Sequence, residues 1–299
     1  MRKSLFLICL LLFFLHACAK TETPSFTDSS LYLFGDSLSD VGNANISSAG
    51  LVPDKNYYDG RFSNGEIYPD FLAKAFSTPM KPSQSYGSNY AFALMRSLEI
   101  KAQIFNFQEN VENKLDPDAV YILWAGANDL LQILQSPNSD NSVDLAVAHI
   151  KDAITKLSKL GVNQVFVLNQ VNMGKTPRTI ELEKSFPGMA AVASQLTDQF
   201  NSSLSEKLDE LDADVDVAIK IIPFDVFNLF EDIVANKNNY NLDNVSEACY
   251  VKDEFNVELT GDEIICDTPN RFLFWDSIHP TTVGHSILAE QLLQTINAN

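Results

Sequence analysis

The chain of 299 residues is short of histidine, cysteine and positive charge, and each shortage narrows what it can be. It holds four histidines and four cysteines, of which His16, Cys9 and Cys18 fall within the first 19 residues. Imidazole chemistry in the rest of the chain must come from His149, His279 or His285. Thiol chemistry must come from Cys249 and Cys266, and with no histidine close by, a zinc site is the least favoured use of that pair. Lysine and arginine total 21 against 39 acidic residues, a formal charge of −18. Residues 1–19 contribute Arg2, Lys3 and no acid, so the remainder carries 19 against 39, or −20. Such a surface repels nucleic acid and gains nothing from anionic headgroups, so no nucleic-acid partner is expected and any membrane contact is apolar or transient. Beyond the N-terminus no run is apolar and long enough to span a bilayer. A G-x-S-x-G nucleophile elbow is also missing.

What is present is a full core composition, 45% hydrophobic with 10% aromatic residues, which excludes a disordered chain. Residues 1–19 read as a signal peptide: Arg2 and Lys3 precede the apolar run 5–15 (LFLICLLLFFL), which is too short for a transmembrane helix. Ala17-Cys18-Ala19 fits ordinary cleavage, while Leu15-His16-Ala17-Cys18 resembles a lipoprotein box that would put a lipid on Cys18. Either places the protein outside the cytoplasm. Residues 20–29 are a polar leader, and residues 30–299 are expected to form one domain without internal repeats.

Four β-rich runs punctuate that domain: 31–34 (LYLF), 119–124 (AVYILW), 164–168 (QVFVL) and 217–222 (VAIKII). Continuous apolar strands belong to a parallel sheet covered on both faces. Helical periodicity over 143–160, 188–211 and 282–296, with Gly161 as a C-cap, supplies the covers. The expectation is a three-layer α/β/α sandwich with a mostly parallel central sheet. Residues 236–270 interrupt the pattern with an Asn-rich start (NKNNYNLDN), acidic residues and both remaining cysteines. In an exported protein those two favour a disulfide, with two buried free thiols as the alternative.

Four motifs carry chemistry. Gly35-Asp36-Ser37-Leu38-Ser39-Asp40-Val41-Gly42-Asn43 follows the first strand and presents a hydroxyl at the sheet's carboxyl edge. Asp276-Ser277-Ile278-His279-Pro280 spaces a carboxylate and an imidazole so that both arise from one turn, as serine activation requires. His149 lies in a helix without polar company, and His285 has no acid three or four positions before it. Gly126-Ala127-Asn128-Asp129 ends another strand and offers an amide to a developing oxyanion, with Asp129 free to cap the helix that follows. Asn89-Tyr90-Ala91-Phe92-Ala93 says nothing alone.

In this order the four resemble the GDSL or SGNH hydrolase superfamily, from Leu31 to His285. The resemblance implies a flavodoxin-like α/β/α fold and an acyl-enzyme esterase without metal or organic cofactor. Ser37 falls on the nucleophile, Asp276 and His279 on the rest of the triad, and Asn128 on the oxyanion amide. Ser37 and the residue at position 94 would add backbone N–H donors. The family's second block ends in glycine where this chain has Leu94, so that donor requires a conformation open to a residue with a Cβ. Gly60-Arg61-Phe62-Ser63-Asn64-Gly65 matches the lipase-like branch. Together with export and the cysteine pair, it resembles bacterial lysophospholipase A and glycerophospholipid:cholesterol acyltransferases. A lysophospholipid or other single-chain lipid ester is the implied substrate, and carbohydrate O-acetylesterase or a catalytically dead binding protein the rival.

Overall fold

The computed structural model describes residues 31–111, 115–136, 140–251 and 263–299. The expected signal peptide and polar leader, and residues 252–262 between the cysteines, lie outside the described residues. Four parallel strands form the sheet in the order β1 (Leu31–Gly35), β2 (Val120–Trp124), β3 (Gln164–Leu168), β4 (Lys220–Phe224). On the far side of β1, residues 88–92 run alongside it. Leu33 N–H donates to the Ser88 carbonyl, Tyr90 N–H to Leu33, and Phe92 N–H to Gly35. The chain therefore winds outward from β1 to 88–92, then crosses back to β2. A crevice opens at that reversal, at the carboxyl ends of β1 and β2.

Every residue of β2 is buried, because both sheet faces are covered. One face packs Phe34, Tyr121, Leu123, Val165 and Val167 against α3 (Ile100–Val111), α5 (Val143–Leu160) and α7 (Met189–Asp212). The other packs Leu33, Ile122, Trp124, Phe166 and Phe224 against α2 (Tyr68–Ala75) and α9 (Thr282–Asn297). α1 (Asn43–Ser47), α4 (Ala127–Gln135), α6 (Pro177–Ser185) and α8 (Val226–Ala235) complete the helices. None of the helices in the described residues is long and apolar enough to cross a membrane.

The expected α/β/α architecture is present, and Gly161 caps α5 at φ 94°. One strand is displaced from its expected place. β4 begins at Lys220 and runs through Pro223, not over 217–222. Among the described residues it pairs only with β3, and an edge strand tolerates a proline that a central one would not. The interruption at 236–270 builds two small ladders. β5 (Asn244–Ala248) pairs in parallel with β8 (Phe272–Phe274), and β6 (Tyr250–Val251) pairs antiparallel with β7 (Ile264–Ile265). A Cys249–Cys266 disulfide joins them, so the pair is neither free nor available to a metal.

Candidate active site

β1 delivers Ser37 to the crevice because Gly35 lets the strand end close against β2. At φ 156°, a Cβ on Gly35 would lie 2.3 Å from the Trp124 carbonyl oxygen. Gln103 grips the same residue from α3, accepting the Gly35 N–H at 2.9 Å and donating to its carbonyl at 2.7 Å. Gly126, at φ 128°, plays the matching part after β2, since a Cβ there would meet the Phe200 ring at 2.4 Å. α4 then starts at Ala127, which sets Asn128 in its first turn, where the helix dipole favours negative charge.

The third contributor comes from the turn between β8 and α9. Asp276 Oδ1 accepts the N–H of Ile278 (2.8 Å) and of His279 (2.7 Å), so the carboxylate shapes the turn that carries the imidazole. Its Oδ2 lies 2.6 Å from His279 Nδ1, and His279 Nε2 lies 2.8 Å from Ser37 Oγ. Burial alone would push the Asp276 carboxyl up. The His279 charge, its ring N–H, the Tyr57 hydroxyl and the His279 backbone N–H outweigh that and hold it below the usual carboxylate range. Ionised Asp276 fixes His279 with Nδ1 protonated and Nε2 facing the serine. The four motifs thus meet in one place, although Ser37 and His279 are 242 positions apart.

The second block works as scaffolding. Asn43 donates to the carbonyls of Asn89 (2.8 Å) and Ala91 (2.9 Å), while Asn89 donates to the Ser39 carbonyl at 2.7 Å. Asp40, fully buried, accepts from Gly42, Asn43 and Ala44 and also from the Ala93 N–H at 2.9 Å. Leu94 follows at φ 66°, in the left-handed region, with its side chain turned out to solvent. The backbone conformation a glycine would supply is therefore adopted by leucine. Asn128 gives one amide hydrogen to the Met95 carbonyl (2.8 Å), which leaves its second for the cleft.

Two residues differ from their sequence expectation. Asp129 does not cap its own helix: it is buried and accepts both the N–H (2.8 Å) and the hydroxyl (3.0 Å) of Ser97, across the crevice wall. His149 does have polar company, its Nδ1 lying 3.3 Å from the Ser97 hydroxyl. His285 is buried against Tyr68, and burial followed by the His279 charge drives its pKa down to about 3. It does not line the cleft.

Sequence reasoning also missed Tyr57, whose hydroxyl donates to Asp276 Oδ2 at 2.6 Å. Its burial, and then the Asp276 charge, raise its own pKa well above the ordinary value, so it is a neutral donor. No motif marks it, because its partner is 219 positions away. The Gly60–Gly65 segment supports the imidazole: the Phe62 ring lies 5.2 Å from that of His279, and Ser63 donates to the Pro280 carbonyl at 2.8 Å.

Beside Ser37 opens a partly enclosed pocket. Its walls are Leu38, Trp124, Leu131, Val171, Met173, Phe230, Leu273, Phe274, Ile278 and Pro280, with Ser37, Asn128 and His279 at one side. Apolar walls with a few polar groups gathered at one point describe a pocket for an apolar ligand held at a reactive group.

A hydroxyl, imidazole and carboxylate in line at the carboxyl edge of a parallel α/β sheet are the arrangement of a serine hydrolase. The chain belongs to the GDSL-like lipase/acylhydrolase family, whose model matches residues 31–292. It is 26% identical to a GDSL esterase/lipase of Arabidopsis thaliana, over 88% of this chain and 80% of that relative. It is 24% identical to the phosphatidylcholine-sterol acyltransferase of Aeromonas hydrophila, over 95% of this chain and 94% of that one. Among solved structures, the acetylxylan esterase Axe2 of Geobacillus stearothermophilus shares the fold. Its TM-score is 0.51 at 16% identity, covering 90% of this chain and 94% of that one.

Proposed function

We propose that the protein is an exported lipid-ester hydrolase of lysophospholipase type, acting through an acyl-enzyme on Ser37. The observation that carries this reading is the apolar lining of the pocket at Ser37, which offers a hydrocarbon chain contacts that an acetyl group would leave unused. In this mechanism His279 Nε2 takes the Ser37 proton as the oxygen attacks the ester carbonyl. Asp276, supported by Tyr57, keeps the imidazole in the required tautomer. The oxyanion rests on the N–H groups of Ser37 and Leu94 and on the Asn128 amide. His279 returns the proton to the leaving alcohol, and water or an acceptor alcohol then releases the acyl group. Export is supported by residues 1–19 and by the Cys249–Cys266 disulfide, with a lipid anchor on Cys18 as its alternative form.

A p-nitrophenyl ester series of increasing chain length, run beside lysophospholipid hydrolysis, tests the assignment. kcat/KM should rise from acetyl to medium chains, and Ser37→Ala should abolish turnover and labelling by a serine-reactive fluorophosphonate. A maximum at acetyl would replace the lipid with a carbohydrate O-acetyl ester. Failure of the wild type to label would make it a binding protein.

A further inference from the structure

The Leu94 N–H can serve an oxyanion only if its backbone is held, and leucine, unlike glycine, does not rest in the left-handed region by itself. Three contacts do the holding. Ahead of Leu94, the Ala93 N–H is tied to buried Asp40 at 2.9 Å. Behind it, the Met95 carbonyl is tied to the Asn128 amide at 2.8 Å. Ser97 is then tied twice to Asp129, through its N–H at 2.8 Å and its hydroxyl at 3.0 Å. Asp129 and Ser97 are each 1% exposed, so both bonds are shielded from competing water. The Ser97 hydroxyl spends its one hydrogen on Asp129. His149, at 3.3 Å, can then only donate to that oxygen, through a protonated Nδ1.

Asn128 and Asp129 are neighbours in the first turn of α4, so one rigid element carries the side-chain oxyanion donor and the hold on the segment bearing the backbone donor. From this juxtaposition we propose that Asp129 is a positioning residue: through Ser97 it fixes the Leu94 N–H as an oxyanion donor. The inference rests on the acyl-enzyme reading above and adds to it the reason a leucine functions where a glycine is usual. It also gives Asp129 a task in place of the helix capping that its motif suggests. Asp40 is the corresponding hold on the other side, but it shapes the nucleophile loop as well, so Asp129 is the cleaner place to test.

The experiment begins with fluorophosphonate labelling of wild type and Ser37→Ala. Loss of that difference ends the acyl-enzyme reading itself, whatever Asp129 does. Given labelling at Ser37, Asp129→Asn is compared with wild type for kcat, KM and affinity for an alkylboronic acid, whose tetrahedral adduct mimics the oxyanion. Asn turns one of the two acceptor oxygens into a donor, so the Ser97 N–H and hydroxyl can no longer both be held as the carboxylate holds them. Removing an oxyanion donor outright costs about 10²–10³ in rate, so a donor left loose should cost about 10- to 100-fold in kcat with KM little changed. Boronate affinity should fall by a similar factor. Adding Leu94→Gly to Asp129→Asn should restore part of kcat, because glycine reaches the left-handed conformation without a hold. If Asp129→Asn does not fold, Ser97→Ala, which removes one of the two bonds, carries the same measurements. The proposal is overturned if the melting temperature falls while kcat and boronate affinity stay at wild-type values. It is equally overturned if Leu94→Gly gives no recovery.

Discussion

Asp36, next to the proposed nucleophile, and Tyr57, on Asp276, have their protonation set largely by burial, and each makes a checkable difference. Burial pushes the Asp36 carboxyl from 3.8 to about 7, against the opposing pull of the Leu38 N–H and the His279 charge. Between those values the native state keeps a proton that the unfolded chain has released, so this residue's contribution to stability falls as pH rises through the window. At 1.36 kcal/mol per pH unit the loss is on the order of 4 kcal/mol, complete above about pH 7. Asp36→Asn never ionises and can still accept the Leu38 N–H. It should melt level with wild type near pH 4 and clearly above it near about pH 8. His285 has the opposite sign. Held neutral down to about 3, it costs stability as pH falls below 6.5. That slope is common to both proteins and cancels in the difference. A difference in melting temperature that does not grow with pH would refute the assignment of Asp36. Tyr57→Phe tests the other residue. Losing one hydrogen bond to an ionised Asp276 should cost about tenfold in kcat/KM. The Asp276 carboxyl also loses a group that lowers it, so activity should fail at a higher pH on the acid side. A pH–rate profile superimposable on wild type would remove Tyr57 from the relay.

At the level of elements, the disulfide is part of the support of the triad turn. Cys249 N–H donates to the Phe274 carbonyl, Tyr250 N–H donates to Trp275, and the Tyr250 and Trp275 rings stack at 5.4 Å. Asp276 follows immediately. With the cysteines 17 positions apart, opening the bond should cost about 3 kcal/mol on the chain-entropy model. Cys249→Ser with Cys266→Ser should therefore melt lower, and kcat on a short ester should fall as the Asp276 turn loosens. If kcat is unchanged at temperatures where the variant is folded, the staple serves stability alone. A shifted ratio of long-chain to short-chain hydrolysis would instead make the bracketed segment a selector of substrates. The elements themselves were unevenly legible. β1, β2 and α5 announce themselves because buried strands are continuous apolar runs and α5 carries both a helical stripe and a glycine cap. The short α1 and the irregular 88–92 segment carry no periodicity, since the latter is held by single backbone bonds to β1 and by Asn43.

For the whole molecule, the proposed reactive groups were readable and their supports were not. Ser37, His279 and Asp276 fall in compact motifs, because a nucleophile needs a strand end and an imidazole needs a carboxylate within a turn. Tyr57 and Ser97 reach the site across the fold, where sequence distance hides them. Leu94 was legible only as a departure, since a side chain does not announce a positive φ.

The formal charge also acts at this scale. At −18 and a sequence pI near 4.5, the molecule approaches an anionic lipid surface against its own field. Net charge therefore opposes attraction to anionic headgroups, and any contact would draw on apolar side chains such as exposed Leu94 and Leu98. Hydrolysis of a zwitterionic lysophospholipid in neutral micelles should then slow when the micelles are doped with an anionic amphiphile. The slowing should appear in apparent KM and leave kcat intact, because the repulsion opposes approach and not the bond-making step at Ser37. Screening decides whether charge is the cause. The Debye length shrinks from about 10 Å at 0.1 M salt to about 3 Å at 1 M, so the penalty should fade across that range. It should also fade as pH is lowered toward the pI. A doping effect that persists in high salt would have to come from micelle packing, and an anionic surface that accelerates turnover would mean a local cationic patch outweighs the net charge.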